Sequence, residues 1–270
     1  MLTIDEQQAW SGVGRLNHSR GGYCSGALIK PDVVLTAAHC VVDEATGRLI
    51  PPRDLKFVAG LRAGVYTAHR RAVSVRVHPD WAGFQGDGKV IVPGDIAVVK
   101  LESPITSIEA TSFSLGPPPD AGADVTLVSY GRGRSSALSI QEPCQVVERY
   151  RASAALNCDS VHGTSGAPVF RDGRIVGVIS ASDLGRGRGH SYAVLSDGAV
   201  QTLVSTAAST PSTAPSTAAA TTTKHVSSSS SASNGGATRG VRSLFKKPGE
   251  FSKSGDGVAR MPGGKKAPGR

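Results

Sequence analysis

Three side chains far apart along the chain have the types that acyl-transfer chemistry needs: His39, Asp95 and Ser165. A serine hydroxyl is a poor nucleophile near neutral pH. It needs a base beside it, a group that orients the base, and hydrogen-bond donors where negative charge develops on the attacked carbonyl. His39 follows Leu35-Thr36-Ala37-Ala38, and the two alanines let an imidazole sit close to whatever faces it. Asp95 opens the apolar run 96–101, which puts a carboxylate at the mouth of a strand, where partial burial would fix its direction. Ser165 lies in Gly163-Thr164-Ser165-Gly166-Ala167-Pro168, where the glycines allow a sharp turn that presents backbone N–H groups on one side. Singly, these are a structural histidine, a strand cap and a loop serine. Together they supply each part of an activated hydroxyl.

The elements that must position these groups read as short strands. Apolar runs at 27–29 and 33–36 flank the turn signal Lys30-Pro31-Asp32. Val73, Val75 and Val77 alternate with Ser74 and Arg76, which predicts a half-buried strand with the valines on one face. Further strands are expected at 96–101, 125–130, 144–150, 174–180 and 191–195, separated by turn-rich segments at 83–88, 116–120 and 185–189. No amphipathic pattern of three helical turns competes; only 197–204 predicts a short helix, with Asp197 as its cap. This punctuation implies a β sandwich or barrels, and Gly116-Pro117-Pro118-Pro119 would suit the connection between two halves.

The motifs TAAHC (36–40), GDIAVVKL (94–101) and GTSGAP (163–168), in that order, resemble the His, Asp and Ser segments of trypsin- and chymotrypsin-like serine proteases. The match spans about residues 12–204. Supporting pieces align as well: Gly22-Tyr23-Cys24-Ser25-Gly26-Ala27-Leu28-Ile29, Val77-His78-Pro79, Ser129-Tyr130-Gly131 and Val176-Gly177-Val178-Ile179-Ser180. The resemblance implies an all-β fold of two six-stranded antiparallel barrels, about 12–115 and about 120–204, with the active site in the cleft between them and a short C-terminal helix. It implies a catalytic triad of His39, Asp95 and Ser165, an oxyanion hole from the N–H groups of Gly163 and Ser165, and support of the aspartate by Ser180. Protein or peptide substrates, a monomer and no cofactor follow from the same likeness.

Four cysteines allow three pairings. In the resembled family, cysteines at the places of Cys24 and Cys40 form a disulfide, and Cys144 and Cys158 would then pair. No C-x-x-C or zinc-module spacing points to a metal. Digestive-type members carry an acidic residue directly before the nucleophile, which pairs with a newly cut N-terminus. Thr164 stands there instead, so competence without that processing is expected. Cys158-Asp159-Ser160 resembles the run in compact bacterial members such as the glutamyl endopeptidase group. Asp159 lies six residues before Ser165, where trypsin-like enzymes place the carboxylate that attracts Lys or Arg. A buried or half-buried Asp159, with Ser182 nearby, would favour cleavage after basic residues. Strict glutamate preference is less well matched, because the histidine it uses would fall near Ile179, with His190 as a displaced candidate.

The globular texture stops near residue 205. Residues 206–270 are rich in Ser, Thr, Ala and Pro, then in Gly, Lys and Arg, a composition that cannot bury enough apolar surface to offset chain entropy and predicts a disordered tail. From Gln201 onward ten Lys or Arg face only Glu250 and Asp256, so the tail holds +8 of the formal +9. A solvated extension is the plain reading, and contact with an anionic polymer or surface the sharper one. No stretch approaches a membrane span. Cysteine placement points to an oxidising compartment, secreted or periplasmic, whereas residues 1–14 lack the apolar core of a signal peptide. Two other function classes fit less of the pattern: a catalytically silent binding module on a protease fold, and a protein tethering nucleic acid or surfaces through its basic tail.

Overall fold

Short β-branched runs broken by Gly, Pro and Asp favour brief strands over helices. In the computed structural model, which describes residues 4–84, 92–182 and 190–208, the chain forms twelve strands among the described residues. Strands β1 (Val13–His18), β2 (Tyr23–Lys30), β3 (Val33–Thr36), β4 (Leu55–Ala59), β5 (Ala68–Val77) and β6 (Ala97–Leu101) close a barrel in the order β1-β2-β3-β6-β5-β4. Strands β7 (Asp124–Ser129), β8 (Ser139–Tyr150), β9 (Ser153–Leu156), β10 (Pro168–Arg171), β11 (Arg174–Ser182) and β12 (Ser191–Leu195) close a second with the same order, β7-β8-β9-β12-β11-β10. All strand pairings are antiparallel, and because β1 pairs with β4 and β7 with β10, neither barrel leaves an open edge. The fold expected from the resemblance is the one observed.

Each barrel has its own apolar filling. Leu16, Leu28, Leu55, Phe57 and Ile105 fill the first, and Leu127, Val146, Leu156, Val169 and Val176 the second. A third cluster joins Val13, Ala27, Leu35 and Val98 of one barrel to Val128, Tyr130, Phe170 and Val178 of the other. Trp10 and Phe113 each set a ring 4.8 Å from that of Phe170, in edge-on geometry. This apolar seam holds the barrels in one relative position.

A short helix α1 (Ile4–Gln8) precedes β1, and α2 (Gly198–Ala208) follows β12 and packs on β6. Asp197 caps α2 as expected: its Oδ1 accepts the N–H groups of Ala199 and Val200 at 3.0 and 3.1 Å. One strand departs from its pattern. The pairing of β5 with β6 slips between Ala72 and Ser74, and this bulge turns Val73 outward, 51% exposed, while Val75 and Val77 pack on the first barrel's core. An extra residue in one strand reverses the sense of alternation locally, which period-two counting does not register.

The chain divides into two units, Met1–Pro215, which holds both barrels, and Ser216–Arg270. The turn expected at 185–189, most of that at 83–88, and the tail from 209 lie outside the described residues. Among the described residues no helix is long and apolar enough to cross a membrane.

Both disulfides that the resemblance implies are formed, Cys24–Cys40 and Cys144–Cys158. The second, with a sequence separation of 14, ties β8 to the segment leading into the Ser165 loop. Replacing Cys144 and Cys158 together by serine should lower the unfolding free energy by about 3 kcal/mol, the loop-closure value for a cross-link of this span. Urea denaturation of the two forms checks it, and equal midpoints would contradict it.

Candidate active site

His39 sits in a single 3-10 turn, Ala38–Cys40, at the end of β3. Its backbone N–H donates to Asp95 Oδ1 at 2.8 Å, and its Nδ1 lies 2.7 Å from Asp95 Oδ2. Ser180, on β11 of the other barrel, donates its hydroxyl to the same Oδ2. The Asp95 side chain has no solvent exposure, and that of His39 has 14%. An ionised carboxylate only accepts, so the proton shared with His39 belongs on Nδ1, which leaves Nε2 with a free lone pair. Nε2 has Cys40 Sγ at 3.7 Å, a weak contact with a disulfide sulfur. Cys24, His39 and Cys40 bring two sulfurs and an imidazole within 4.8 Å of one another, but the disulfide removes the thiolates a metal ion would need.

Asp95 owes its placement to Gly94. Gly94 has φ +75°, and a Cβ there would meet the Asp80 backbone at 2.4 Å. With no side chain it lets the loop press against residues 80–81 before β6 begins.

The Ser165 loop packs against the strand pair that delivers His39. The Ser165 carbonyl accepts the N–H of Ser25 at 2.8 Å. Gly166, at φ +77°, lies so close to β3 that a Cβ would meet Thr36 Oγ1 at 2.2 Å and the Ala37 nitrogen at 3.1 Å. Ser165 itself is half-buried. Before it, Val161 to Thr164 form a tight turn closed by Thr164 N–H to Val161 O at 2.9 Å, with Gly163 at φ +92°. The N–H groups of Gly163 and Ser165 meet no acceptor among the described residues. Thr164, where an acidic residue would serve an N-terminal charge pair, is buried, and its Oγ1 accepts the Val161 N–H at 3.3 Å.

Both residues named for specificity lie at the surface. Asp159 is exposed rather than half-buried. Its N–H and C=O are clasped by the Gln141 side-chain amide at 2.8 and 2.6 Å, which draws the segment after Cys158 toward the edge of β8. Ser182 is exposed at the end of β11, opposite Ser191. His162, the second residue of that turn, is exposed.

Two residues of this region escaped sequence reasoning. Ser25 lies under the nucleophile loop and is fully buried. His18, at the end of β1, lies near His39 and shares with it a cavity of about 580 Å³ also lined by Val42, Leu49, Ile50 and Phe84. His18 Nε2 is buried and makes no hydrogen bond among the described residues. Burial lowers the pKa of His18; the nearby Cys40 carbonyl raises it in part, and His39 lowers it further. Neither residue's contacts are written in the local sequence, although Ser25 lies within the run 22–29, because both act through the β1–β2 pairing and the loops that fold over it.

A model of the trypsin family, described as "Trypsin", matches residues 4–204. Brachyurin of Leptuca pugilator is 29% identical over 160 residues, which cover 57% of this chain and 62% of that protein. The chain therefore spans under two thirds of brachyurin's length. A trypsin of Saccharopolyspora erythraea is 27% identical over 184 residues, covering 58% of this chain and 74% of its own. Among solved structures, a Glu endopeptidase superposes with a TM-score of 0.61 at 18% identity, covering 73% of this chain and 90% of that one. A thermostable serine protease from an extremophilic microorganism gives 0.62 at 17%, covering 75% and 100%. At such identities these two report on the fold.

His18 generates a stability prediction. Its folded pKa is below the ordinary 6.5, so above about pH 6.5 both folded and unfolded chains hold it neutral. As pH falls through that value the unfolded chain takes up the proton first, and stability is lost until the folded imidazole protonates too. Calorimetry should show a melting temperature that falls less steeply from about pH 7.5 to 5.5 in His18→Gln than in the parent. Identical slopes would contradict this.

Proposed function

The chain belongs to the trypsin family of serine-type endopeptidases, and from that premise we propose that it hydrolyses peptide bonds through an acyl-enzyme formed on Ser165. Ser165 Oγ attacks the scissile carbonyl while His39 Nε2 takes its proton. The oxyanion is received by the N–H groups of Gly163 and Ser165. His39 then returns the proton to the departing amine, which leaves an ester on Ser165. A water molecule, deprotonated by the same nitrogen, attacks the ester and frees the acid. Asp95 holds the imidazole in the tautomer this requires and stabilises its cationic form. The observation that carries the reading is the double grip of a fully buried Asp95 carboxylate on His39, at N–H and at Nδ1, which directs a basic nitrogen away from the carboxylate. The open N–H groups of Gly163 and Ser165 support hydrolysis over a silent binding module.

A phosphonate probe for serine hydrolases should form one adduct, mapped to Ser165 and absent in His39→Ala. Ser165→Ala should reduce peptide turnover by about 10⁴–10⁶-fold. A Ser165→Ala variant with half the parent rate would end the reading.

For the acyl side we propose a preference for Lys or Arg, read by Asp159. Its carboxylate makes no hydrogen bond or ion pair among the described residues and so is free to meet a cation. Because Asp159 is exposed, such a pair is screened and contributes about 0.2–1 kcal/mol, a preference of only a few-fold. Sequencing the products cut from a random peptide library checks this: Lys and Arg should be enriched a few-fold before the cut, and the enrichment should disappear in Asp159→Asn. An Asp159→Asn profile equal to the parent's would remove Asp159 from the role.

A further inference from the structure

The Ser165 turn is held from the first barrel by a hydroxyl that the catalytic scheme does not use. Ser25, on β2, is fully buried, and its Oγ accepts the Tyr130 N–H at 2.9 Å and donates to the Gly163 carbonyl at 2.8 Å. Its main chain reaches the same loop: Ser25 N–H donates to the Ser165 carbonyl at 2.8 Å, and the Ser25 carbonyl accepts the Thr36 hydroxyl at 2.8 Å. Every polar group of this residue therefore touches the second barrel, the nucleophile loop or the strand that leads to His39.

The turn it grips has two faces. A turn with positive φ at its third residue, here Gly163 at +92°, points the carbonyl of its second residue one way and the N–H of its third the other. The His162 carbonyl is taken by the Arg132 N–H at 2.7 Å, so the Gly163 N–H on the same planar peptide faces the opposite side, where no acceptor meets it among the described residues. Rotating that peptide by half a turn would aim a carbonyl where the oxyanion must form and abolish the donor. Such a rotation carries Gly163 out of positive φ, and Arg132 opposes it by holding the His162 carbonyl. Ser25 holds the next peptide, at the Gly163 carbonyl, and so fixes the other side of Gly163 against which the donor is aimed.

We propose that Ser25 is a positioning residue that holds the Gly163 N–H in its oxyanion-binding orientation from the neighbouring barrel. This rests on the serine-peptidase reading and adds to it how the donor is kept ready. With Thr164 before the nucleophile, the loop is tied by uncharged hydrogen bonds, to Ser25, Arg132 and Val161, and no charged group is needed inside it. A hydroxyl suits the post because it can donate and accept at once. Alanine would strand both a buried N–H and a buried C=O.

The test compares the full-length parent with Ser25→Ala in three measurements. These are kcat and KM on a peptide substrate, affinity for a peptidyl trifluoromethyl ketone, whose free carbonyl adds Ser165 Oγ to give a hemiketal oxyanion, and affinity for the same peptide as an unreactive amide. Loss of a prepared donor should lower kcat by about 10–100-fold, somewhat less than deletion of an oxyanion donor itself. KM should stay within about threefold, ketone affinity should fall by the same factor as kcat/KM, and amide affinity should not change. Equal losses on ketone and amide would mean a loosened cleft and would overturn the proposal. So would a folded Ser25→Ala variant whose kcat and ketone affinity lie within about twofold of the parent. If circular dichroism shows Ser25→Ala unfolded, Ser25→Cys, close in volume and a weaker donor, is measured in the same way against the same outcomes. The hydrolytic reading fails by a separate result, an active Ser165→Ala.

Discussion

A carboxylate with no contact to solvent must find its hydrogen bonds inside the protein, and Asp95 finds them on both barrels. The main-chain N–H and imidazole of His39 come from the first, and the hydroxyl of Ser180 from the second. An unpaired buried charge costs several kcal/mol, so the fold is committed to the arrangement that satisfies this one. That commitment sets the direction of the His39 ring, and it ties β11 to the loop before β6. The apolar seam through Tyr130, Phe170 and Val178 supplies the area that brings the barrels together. The carboxylate supplies a register that hydrophobic burial, which is non-directional, cannot specify.

The opposite wall of the cleft obeys a similar rule with neutral groups. Close approach is possible only where side chains are absent: at Gly163, where a Cβ would meet the Tyr23 ring at 2.4 Å, and at Gly166 against β3. Once backbones are this near, their N–H and C=O groups pair across the gap, and Ser25 links three of them. The two walls differ in chemistry for a physical reason. Next to an imidazole that must change charge, a fixed anion is useful. Beside donors that must meet an oxyanion, Thr164 and Ser25 tie the loop with neutral hydrogen bonds alone.

Much of this was legible before any coordinates. Strand positions followed from apolar runs and turn residues because those are local preferences; the hairpin across 30–32 and the Asp197 cap are examples. Val73 was misjudged because a bulge depends on how β5 meets β6. Asp159 came out exposed because a glutamine eighteen residues earlier clasps its backbone, a contact that no spacing rule contains. Nothing local gives the contacts of His18 and Ser25, whose surroundings exist only after β1, β2 and the following loops are assembled.

The order and chemistry of the His39, Asp95 and Ser165 segments, the family and the two-barrel architecture were therefore determined by sequence alone. Residue type, small neighbours and strand patterning are properties of short stretches of chain. Tertiary structure alone decided which lone pairs and N–H groups face the cleft, how deeply each charge is buried, and which uncharged side chains hold the loops in place. Those are properties of pairs of residues far apart along the chain, such as Ser25 and Gly163 at a separation of 138, and they come into being only when packing brings the two surfaces together.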